Sequence, residues 1–575
     1  MLTPVDRERE VKLRDRVDPN ELERHVEAFD GLERVSGTSD EWEASEYVVE
    51  VLEEYGCDAE LLEFESLISV PEAATVDVTV PTRRTFDEAI TTSFGASTPP
   101  AGVSGEVVRL ETVNEETVAT ANLEGKIAFM TGLPTPNPVR LLENAGVTAI
   151  IYQSVNAEHL HEMIVTPVWG TPALSEADEI PDIPVAQVTQ SAGDWLLAAC
   201  EEGPVEATVT TEVTTELVTL PCPVGRIEGS ISDRYMVIGN HVDSWYEGIT
   251  DNATAMAATL EVARLFADDP SERGLVFGFW PAHSTGRYAG SAWWADQEWL
   301  DLRENGVAYY HLDLNGLRDA DGLWRQEMAE LADEHLDILE TASELPMLDA
   351  GDAGFLGSDR PARNSDQSFW GAGLSSLLSG ARMEPGEEGG PIGGGWWWHT
   401  PADTRDKVDI DVLVEETRIA VTLAARICTS PVLPHDFRAT VTDIRNQITA
   451  IEEKTEYIFE AVFEELDALE SVLNEAYDQI EGVTAIDSAA GRATEDLQVG
   501  LGNELVPALY MTRRDYDQEP ALPHEPLPGL REATRVEGTR REKRFAQTTL
   551  IREETRLRHR LRRARKQTKQ YLANS

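Results

Sequence analysis

The sequence predicts an α/β protein whose open, mostly parallel sheet is flanked by helices, with a β-rich insertion and a helical C-terminal domain. Strands alternate with amphipathic helices from residue 218 to 430, a pattern typical of a parallel sheet. Short β-branched runs broken by Gly and Pro fill 81–217, and helical periodicity follows over 431–575. The 575 residues suffice for several domains, and we assign 1–80 to the N-terminal part of the α/β domain.

The order of the elements supports this assignment. Two helical segments, ELERHVEAFDGLERV and DEWEASEYVVEVLEEYG, precede a strand near Ala59 to Phe64. Within 81–217, the runs VDVTV, SGEVVRL and VEATVTTEVTT indicate strands. The α/β region is predicted to contain strands at 235–240, 274–280, 306–313 and 375–380, and helices near 252–267, 291–304 and 410–427.

The charge balance excludes several classes of partner. Asp and Glu number 105 against 48 Lys and Arg, which gives a formal net charge of −57. Such an excess repels phosphate backbones and anionic lipids, so we expect neither nucleic acid nor membrane among the partners. Only seven of the basic residues are lysines. A dense carboxylate surface with little lysine resembles the proteins of halophilic, salt-accumulating microbes.

The cysteines and the N-terminus give no sign of secretion. The four cysteines lie far apart and form no Cys-x-x-Cys pair, which argues against a zinc ribbon and against a disulfide scaffold. The first residues are charged throughout and lack the apolar run of a signal peptide. No apolar stretch approaches the length of a membrane span. We therefore expect a cytoplasmic protein.

The C-terminal region has two helical features. Residues 436–482 form one long helical pattern with apolar side chains near heptad spacing, which should pack against another helix. The last 41 residues, 535–575, carry 14 Lys and Arg against four Glu. This basic tail either docks as a helix on the acidic surface of its own chain or of a second subunit, or contacts nucleic acid. The lack of interleaved aromatic residues disfavours the last alternative.

The first motif with metal-binding chemistry lies at the end of the strand predicted at 235–240. It reads GNHVDSW, and Asp251 follows His241 by ten residues. Strand alternation points His241 and Asp243 the same way, so that Asp243 can orient the imidazole for metal binding. Asp251 begins the next helix, where main-chain N–H groups favour a carboxylate. Taken alone, Asp251 would be an ordinary helix cap.

Two further elements supply candidate ligands. The strand GVAYYHLD ends in Asp313, and His399 lies in the aromatic loop WWWHTPADT just before a helix. Two histidines and two aspartates at the carboxyl edge of one sheet suit Zn²⁺ or a similar divalent ion. His311 faces the same side of its strand as Asp313 and is a candidate for supporting it. Trp398 is a candidate for the wall of an apolar specificity pocket.

Together these motifs resemble peptidase family M28, the zinc exopeptidases of aminopeptidase and glutamate carboxypeptidase type. The resemblance rests on GNHVDSW, GITDNATAMAATLEVAR, GVAYYHLD, NSDQSFW and WWWHTPADTRDKVD, and it extends to about residue 500. Segments at 123–129, 141–154 and 180–198 resemble the protease-associated domain found in the transferrin-receptor-like branch of that family. The implied fold is of zinc exopeptidase type with an inserted protease-associated domain.

The resemblance also assigns roles to residues. It implies that His241 and Asp313 hold one zinc ion, that His399 holds a second, and that Asp251 bridges the two. It further implies a homodimer formed through the C-terminal helices.

The chain departs from the family at one loop. Members carry two adjacent glutamates in a Trp-Asp-Ala-Glu-Glu pattern, the first as general base and the second as a ligand of the second zinc. This chain reads Trp280-Pro281-Ala282-His283-Ser284, so both carboxylates are absent. His283 would replace the missing ligand or the base as a neutral imidazole but could not replace the charge, or it is a loop histidine without a metal role. Ser284 is expected near the pocket.

The missing carboxylates have consequences for metal binding and for rate. Two divalent ions bring four positive charges, whereas Asp251 and Asp313 supply two negative ones, so the second ion should bind more weakly. Loss of a positioned general base costs about 10² to 10⁴ in rate. Activity then requires His283 or Asp366 to take the proton of a metal-activated water, and we expect structural support from Asp366 more than catalysis.

Two functions follow from these observations. The first is a metal-dependent hydrolase of peptide or related amide bonds, an exopeptidase that uses a zinc-activated water and one or two zinc ions. The second is a non-catalytic binding or assembly module that keeps the peptidase fold. Four retained ligand positions favour the enzyme, and two lost glutamates favour the module. Neither the substrate nor the end of the peptide attacked can be predicted.

Overall fold

The computed structural model describes residues 6–157, 159–348, 364–455, 457–523, 525–534 and 538–574. A mixed sheet of 12 strands runs through this part of the chain. Its strands, in chain order, are β1 (Asp58–Val80), β2 (Arg84–Ile90), β3 (Val103–Arg109), β4 (Ile127–Thr131), β5 (Ala149–Gln153), β6 (Val185–Val188), β7 (Glu206–Ile227), β8 (Tyr235–His241), β9 (Gly274–Trp280), β10 (Gly306–His311), β11 (Gly322–Glu327) and β12 (Ser375–Arg382).

The α/β domain is built on strands in the order β1-β7-β9-β8-β10-β12-β11. The four strands β9, β8, β10 and β12 are parallel neighbours, whereas β1, β7 and β11 pair antiparallel at the edges. All residues of the four parallel strands are buried, as expected where other elements cover both faces of a sheet. The predicted α/β class with an open, mostly parallel sheet is therefore confirmed.

Helices cover the sheet on both faces. Alternate residues of β8 enter different cores: Met236 and Ile238 pack on one face, and Tyr235 and Val237 on the other. The helices are α1 (Arg7–Arg14), α2 (Pro19–Phe29), α3 (Ser39–Tyr55), α4 (Glu115–Thr120), α5 (Pro136–Asn144), α6 (Gln190–Glu202), α7 (Thr254–Asp268), α8 (Ala289–Gln297), α9 (Trp299–Asn305), α10 (Ala332–Ala342), α11 (Ile410–Thr429), α12 (Phe437–Glu452), α13 (Glu460–Ile480), α14 (Ala489–Tyr510), α15 (Pro528–Thr534) and α16 (Arg540–Asn574).

A closed barrel is inserted between β1 and β7. These two strands pair antiparallel along almost their whole length, from Asp58 opposite Arg226 to Val80 opposite Glu206. At the far end of this ribbon, the ring β1-β2-β6-β5-β4-β3-β7 closes on itself, and apolar side chains from its strands and from α6 fill the inside. The border predicted between residues 217 and 218 falls inside β7, because one continuous strand serves both the sheet and the barrel.

The C-terminal helices form a separate apolar core. The single long helix predicted over 436–482 is wrong, since α12 ends at Glu452 and α13 begins at Glu460. The two helices contact each other, and α13 also packs along α16. The near-heptad apolar spacing is nevertheless retained, because both helices bury their apolar stripe in the same core.

The basic tail docks on its own chain. Over the part of the tail that the structure describes, α16 packs against α13 and α14. Arg562 and Arg565 form ion pairs with Glu465, at 2.6 and 3.1 Å, and Arg563 lies 2.8 Å from the buried Glu504. Residues 535–537 and 575, which belong to the predicted tail, lie outside the described residues.

Membrane insertion finds no support among the helices. In the segments that the structure describes, none has both the length and the apolarity needed to cross a bilayer.

Candidate metal centre

The candidate ligands lie where the parallel strands end. His241 is the last residue of β8, and Asp313 follows β10 by two residues. Since β8 and β10 are parallel neighbours with Gly239 opposite His311, the two side chains reach the same edge of the sheet. Asp251 lies in the turn Ile249–Ala253 before α7 and has non-helical dihedral angles, φ −129° and ψ 75°. His399 lies in the loop before α11 and has a positive φ of 58°.

The structure brings these four residues together. Nε2 of His241 lies 3.0 Å from Oδ1 of Asp251 and 3.6 Å from Oδ1 of Asp313. On the other side, Nε2 of His399 lies 3.2 Å from Oδ2 of Asp251. Asp251 therefore stands between the two histidines, with one carboxylate oxygen toward each.

The donor atoms fit a divalent cation. Nδ1 of His241 donates to the main-chain oxygen of Asp243 at 2.8 Å, so the lone pair of a neutral imidazole is at Nε2 and faces two carboxylates. Nε2 of His241 and Oδ1 of Asp313 are buried, and neither atom has a partner in hydrogen-bonding geometry. A lone pair facing two carboxylates is stable only with a proton or a cation between them. Imidazole and carboxylate are ordinary zinc ligands.

The charges of the cluster point to the same conclusion. Burial opposes a charge on His241, yet the carboxylates of Asp251 and Asp313 raise its pKa well above the usual value. Burial likewise opposes ionisation of the two aspartates, but the neighbouring histidines lower the pKa of Asp251 and that of Asp313. The cluster is thus a place where positive charge is strongly favoured.

Asp243 supports the site differently from the prediction. Its main-chain oxygen, not its carboxylate, orients His241, and the nearer carboxylate oxygen is 3.7 Å from Nδ1. The carboxylate instead accepts the main-chain N–H groups of His283 and Ser284, each at 2.9 Å, and the hydroxyl of Ser36 at 3.3 Å. Asp243 therefore fixes the loop after β9 behind the candidate ligands.

His283 lies against His241. The two imidazole rings are stacked with centroids 4.0 Å apart, and burial followed by the neighbouring charge of His241 lowers the pKa of His283 well below its usual value. Ligand atoms of His241, His283 and Asp313 lie within 4.8 Å of one another, and neither Asp251 nor His399 is part of this group. The substituted histidine thus lies on the His241 side of the site, whereas the ligand that it was considered to replace would hold the ion on the His399 side.

His311 and Asp366 differ in their relation to the site. Nε2 of His311 lies 3.3 Å from Oδ2 of Asp313, and its Nδ1 lies 3.2 Å from the hydroxyl of Tyr309. His311 thus contacts Asp313 as expected. Asp366 is buried in the 3-10 turn Ser365–Phe369, where burial raises its pKa to about 8. It is absent from the cavity wall, so the geometry gives no support for Asp366 as a base.

The barrel insertion closes the site over His399. Nδ1 of His399 donates to the main-chain oxygen of Glu162 at 2.6 Å, and the main-chain N–H of Glu162 donates back to His399 at 2.9 Å. Trp398 stacks on His399 with ring centroids 3.7 Å apart, and its main-chain oxygen accepts Nδ1 of His161 at 2.6 Å. Residues of the insertion thus set the orientation of the His399 ring.

A cavity of about 170 Å³ opens beside these residues. Asp251, Asp313 and His399 form one end, together with His283 and Ser284. The remaining wall is largely apolar and comes from both the sheet and the insertion. It includes Met163, Ile164, Trp245, Leu314, Trp324, Leu378, Ile392 and Trp398.

Three buried charged residues near the site were not predicted. Arg34, between α2 and α3, donates to the main-chain oxygens of Val242, Glu247 and Gly248 at 2.9 to 3.0 Å. Asp403 accepts the main-chain N–H groups of Thr250 and Asp251 at 3.0 and 3.1 Å. Arg382, the last residue of β12, donates to the main-chain oxygen of Asp313 at 3.0 Å. The sequence could have suggested two of the three. Asp403 follows His399 by four residues, and Arg382 lies at the end of a strand. No comparable signal marks Arg34.

Comparison with known proteins identifies the domain that carries the site. Residues 224–424 match the family model described as "Peptidase family M28". This part of the chain belongs to peptidase family M28. The M28 segment contains His241, Asp251, Asp313 and His399, as well as the departing pair His283-Ser284.

The relatives of the M28 segment match only over short regions. The aminopeptidase NAALADL1 from Mus musculus is 31% identical over 112 residues, which are 18% of this chain and 15% of that protein. The probable glutamate carboxypeptidase AMP1 from Arabidopsis thaliana is 32% identical over 87 residues, 14% of this chain and 12% of that protein. The matches thus span less than one sixth of the length of either relative.

Among solved structures, BSAP, a zinc aminopeptidase from Bacillus subtilis, covers 73% of this chain and 98% of its own chain. The TM-score is 0.54 at 19% sequence identity. This likeness shows that the fold shared with that structure extends beyond the matched segment.

Proposed function

We propose that the protein is a metal-dependent hydrolase of peptide or related amide bonds, acting as an exopeptidase with zinc as its metal. The observation that carries this proposal is the convergence of His241, Asp251 and Asp313 within an M28 segment, with a buried imidazole lone pair aimed at two carboxylates. Together with the neighbouring imidazole of His283, these side chains supply the imidazole and carboxylate donors that a catalytic zinc ion uses.

The chain's own residues would divide the work as follows. When bound, a divalent ion polarises the scissile carbonyl and acidifies water. His241 and Asp313 would hold the ion from strand ends, with Asp251 beside it in the turn before α7. Asp243 holds His283 and Ser284 in place through their main-chain N–H groups. The apolar cavity wall excludes bulk water, which strengthens every electrostatic interaction at the metal end.

The cavity supports action at a chain end. A space of about 170 Å³ that ends at the metal residues suits one terminal residue better than an extended peptide. The compared relatives include an aminopeptidase and a probable glutamate carboxypeptidase. The first assays should therefore test cleavage at both the amino end and the carboxyl end of a peptide.

The proposal also covers the insertion, the oligomeric state and the cellular environment. The barrel insertion is a protease-associated domain that serves as one wall of the cavity, as Met163 and Ile164 indicate. The C-terminal helices form the contact of a homodimer. The protein works in the cytoplasm of a salt-accumulating cell, where the charge of −57 keeps a crowded protein hydrated.

The test uses the full chain purified in molar potassium chloride. We expect bound zinc and release of free amino acids from short peptides, with both lost after chelation and restored by added zinc. The variant Asp313→Asn should lower turnover by more than about 100-fold, whereas the exposed Asp406→Asn should not. Stoichiometric metal without turnover on a broad panel of N- and C-terminally varied peptides would refute the hydrolase and favour the binding module.

A further inference from the structure

We propose that this centre holds a single divalent ion, bound by His241, His283 and Asp313 with Asp251 alongside, and that His399 positions Asp251 instead of binding a second ion. The inference rests on the metal-binding part of the proposed function and departs from the two-ion arrangement that the family resemblance implies.

The position of His283 is the first argument. His283 replaces a family glutamate, yet its ring stacks on His241 at 4.0 Å, and its ligand atom lies within 4.8 Å of those of His241 and Asp313. These three side chains, two imidazoles and one carboxylate, match the usual ligand number and type of a catalytic zinc site. Asp251, whose Oδ1 is 3.0 Å from Nε2 of His241, borders the same position. The substitution therefore adds a ligand to the first ion.

The second argument is that the His399 side of the site offers few ligand atoms. The group of mutually close ligand atoms holds neither Asp251 nor His399. Nε2 of His399 and Oδ2 of Asp251 lie 3.2 Å apart, and among the described residues no third ligand atom joins them in a group. Ser284 lines the cavity where the family places its second glutamate and offers a neutral hydroxyl in place of a carboxylate. Zinc sites in proteins use three or four protein ligands, and two would hold an ion weakly.

The buried charges give the third argument. Four aspartates at the site or in the loops around it, Asp243, Asp251, Asp313 and Asp403, face three buried arginines, Arg34, Arg287 and Arg382. One divalent cation already offsets this small negative excess. A second ion would leave an uncompensated positive excess at the site, which is strongly unfavourable.

His399 has a different task in this arrangement. Its Nδ1 is committed to the main-chain oxygen of Glu162, which fixes the ring and directs Nε2 at Asp251. Asp403 holds the main chain of Asp251 from behind. Asp251 is thereby oriented from two sides, with Oδ1 toward His241. This makes His399 a positioning residue, supplied through the barrel insertion.

The experiment counts metal ions. The full chain and its variants are stripped with chelator in molar potassium chloride, equilibrated with Zn²⁺ or Co²⁺, and analysed for metal per chain and for affinity by competition. We expect one ion per chain in the wild type and in His399→Gln, with the affinity of the variant lowered by about tenfold because Asp251 loses one of its two orienting contacts. His283→Ala should lower affinity by at least about tenfold. His335→Ala, which removes a buried imidazole elsewhere in the chain, should change neither quantity.

A gain-of-site variant keeps the proposal testable if the alanine variant folds poorly. Ser284→Glu returns a carboxylate to the cavity wall, and we expect it to bind two ions. Two ions in the wild type, loss of one ion in His399→Gln, or unchanged affinity in His283→Ala would each overturn the proposal. One ion without peptide hydrolysis would refute the proposed function and leave this inference standing, whereas two ions with hydrolysis would do the reverse.

Discussion

Replacing Asp243 by asparagine tests how the loop that carries His283 is held. The carboxylate of Asp243 is fully buried and accepts two main-chain N–H groups, from His283 and Ser284, at 2.9 Å each. Asparagine keeps one acceptor oxygen and turns an NH₂ group toward the other N–H. One hydrogen bond therefore becomes neutral and the other is lost, leaving a buried donor unsatisfied. We expect Asp243→Asn to lower the free energy of unfolding by about 2–4 kcal/mol.

The same change should reach the metal. Since the loop places His283 beside His241, its displacement should weaken metal affinity by about 10- to 100-fold, as for other residues that orient metal ligands. Stability is measured by chemical denaturation of the metal-free chain, and affinity by competition with a chelator.

The matched control for this experiment is Glu330→Gln. Glu330 is a buried carboxylate that accepts the hydroxyls of Ser375 and Thr440, both outside the candidate site. Its replacement should lower stability and leave metal affinity unchanged. If Asp243→Asn loses stability but binds metal as tightly as the wild type does, the loop does not hold a ligand, and Asp243 has no part in positioning the metal centre.

Three further predictions concern packing and pH. Arg273→Met breaks the buried ion pair of 2.5 Å with Glu495 and should cost about 3–5 kcal/mol of unfolding free energy; a loss below about 1 kcal/mol, by the denaturation assay, would contradict it. Burial lowers the pKa of His435 from 6.5 to about 3. The folded chain therefore holds a neutral His435, and its contribution to the free energy of unfolding is present above pH 6.5 and is lost as the pH falls below that value. From about pH 7.5 to about pH 5 the wild type should lose about 2 kcal/mol more than His435→Gln, and parallel pH curves would count against this. Glu504→Gln, which removes the partner of Arg563, should speed limited proteolysis of α16, and an unchanged cleavage rate would show that apolar packing alone holds it.

Much of the fold and the convergence at the site could be predicted, because each rested on a local signal. The β9 strand was predicted at its observed limits, 274–280, since a run of apolar residues between turns defines a buried strand. His241 and Asp313 were expected to lie near each other because the ends of neighbouring parallel strands share one edge. The structure places them so.

Other features depended on distant contacts and could not be predicted. The hairpin of α12 and α13 keeps the same apolar spacing as one long helix, so periodicity alone does not reveal the break after Glu452. The hydrogen bond from Arg34 to the main-chain oxygen of Val242 joins residues about 200 positions apart in the sequence, and no local sequence pattern predicts it. The neighbours of His283, in the loop after β9, could not be predicted from the resemblance to the family. They are determined by the stacking of His283 on His241 and not by its position in the motif.

The β1–β7 ribbon determines how the insertion is joined to the sheet. Each strand is more than 20 residues long, and the pairing shifts register between Pro71 and Ala73. Two hydrogen-bonded strands resist bending more than a single-chain linker does. The insertion, which contacts His399 through Glu162, is therefore joined to the sheet by a paired ribbon, and any shift of this wall relative to the candidate ligands would have to bend both strands together.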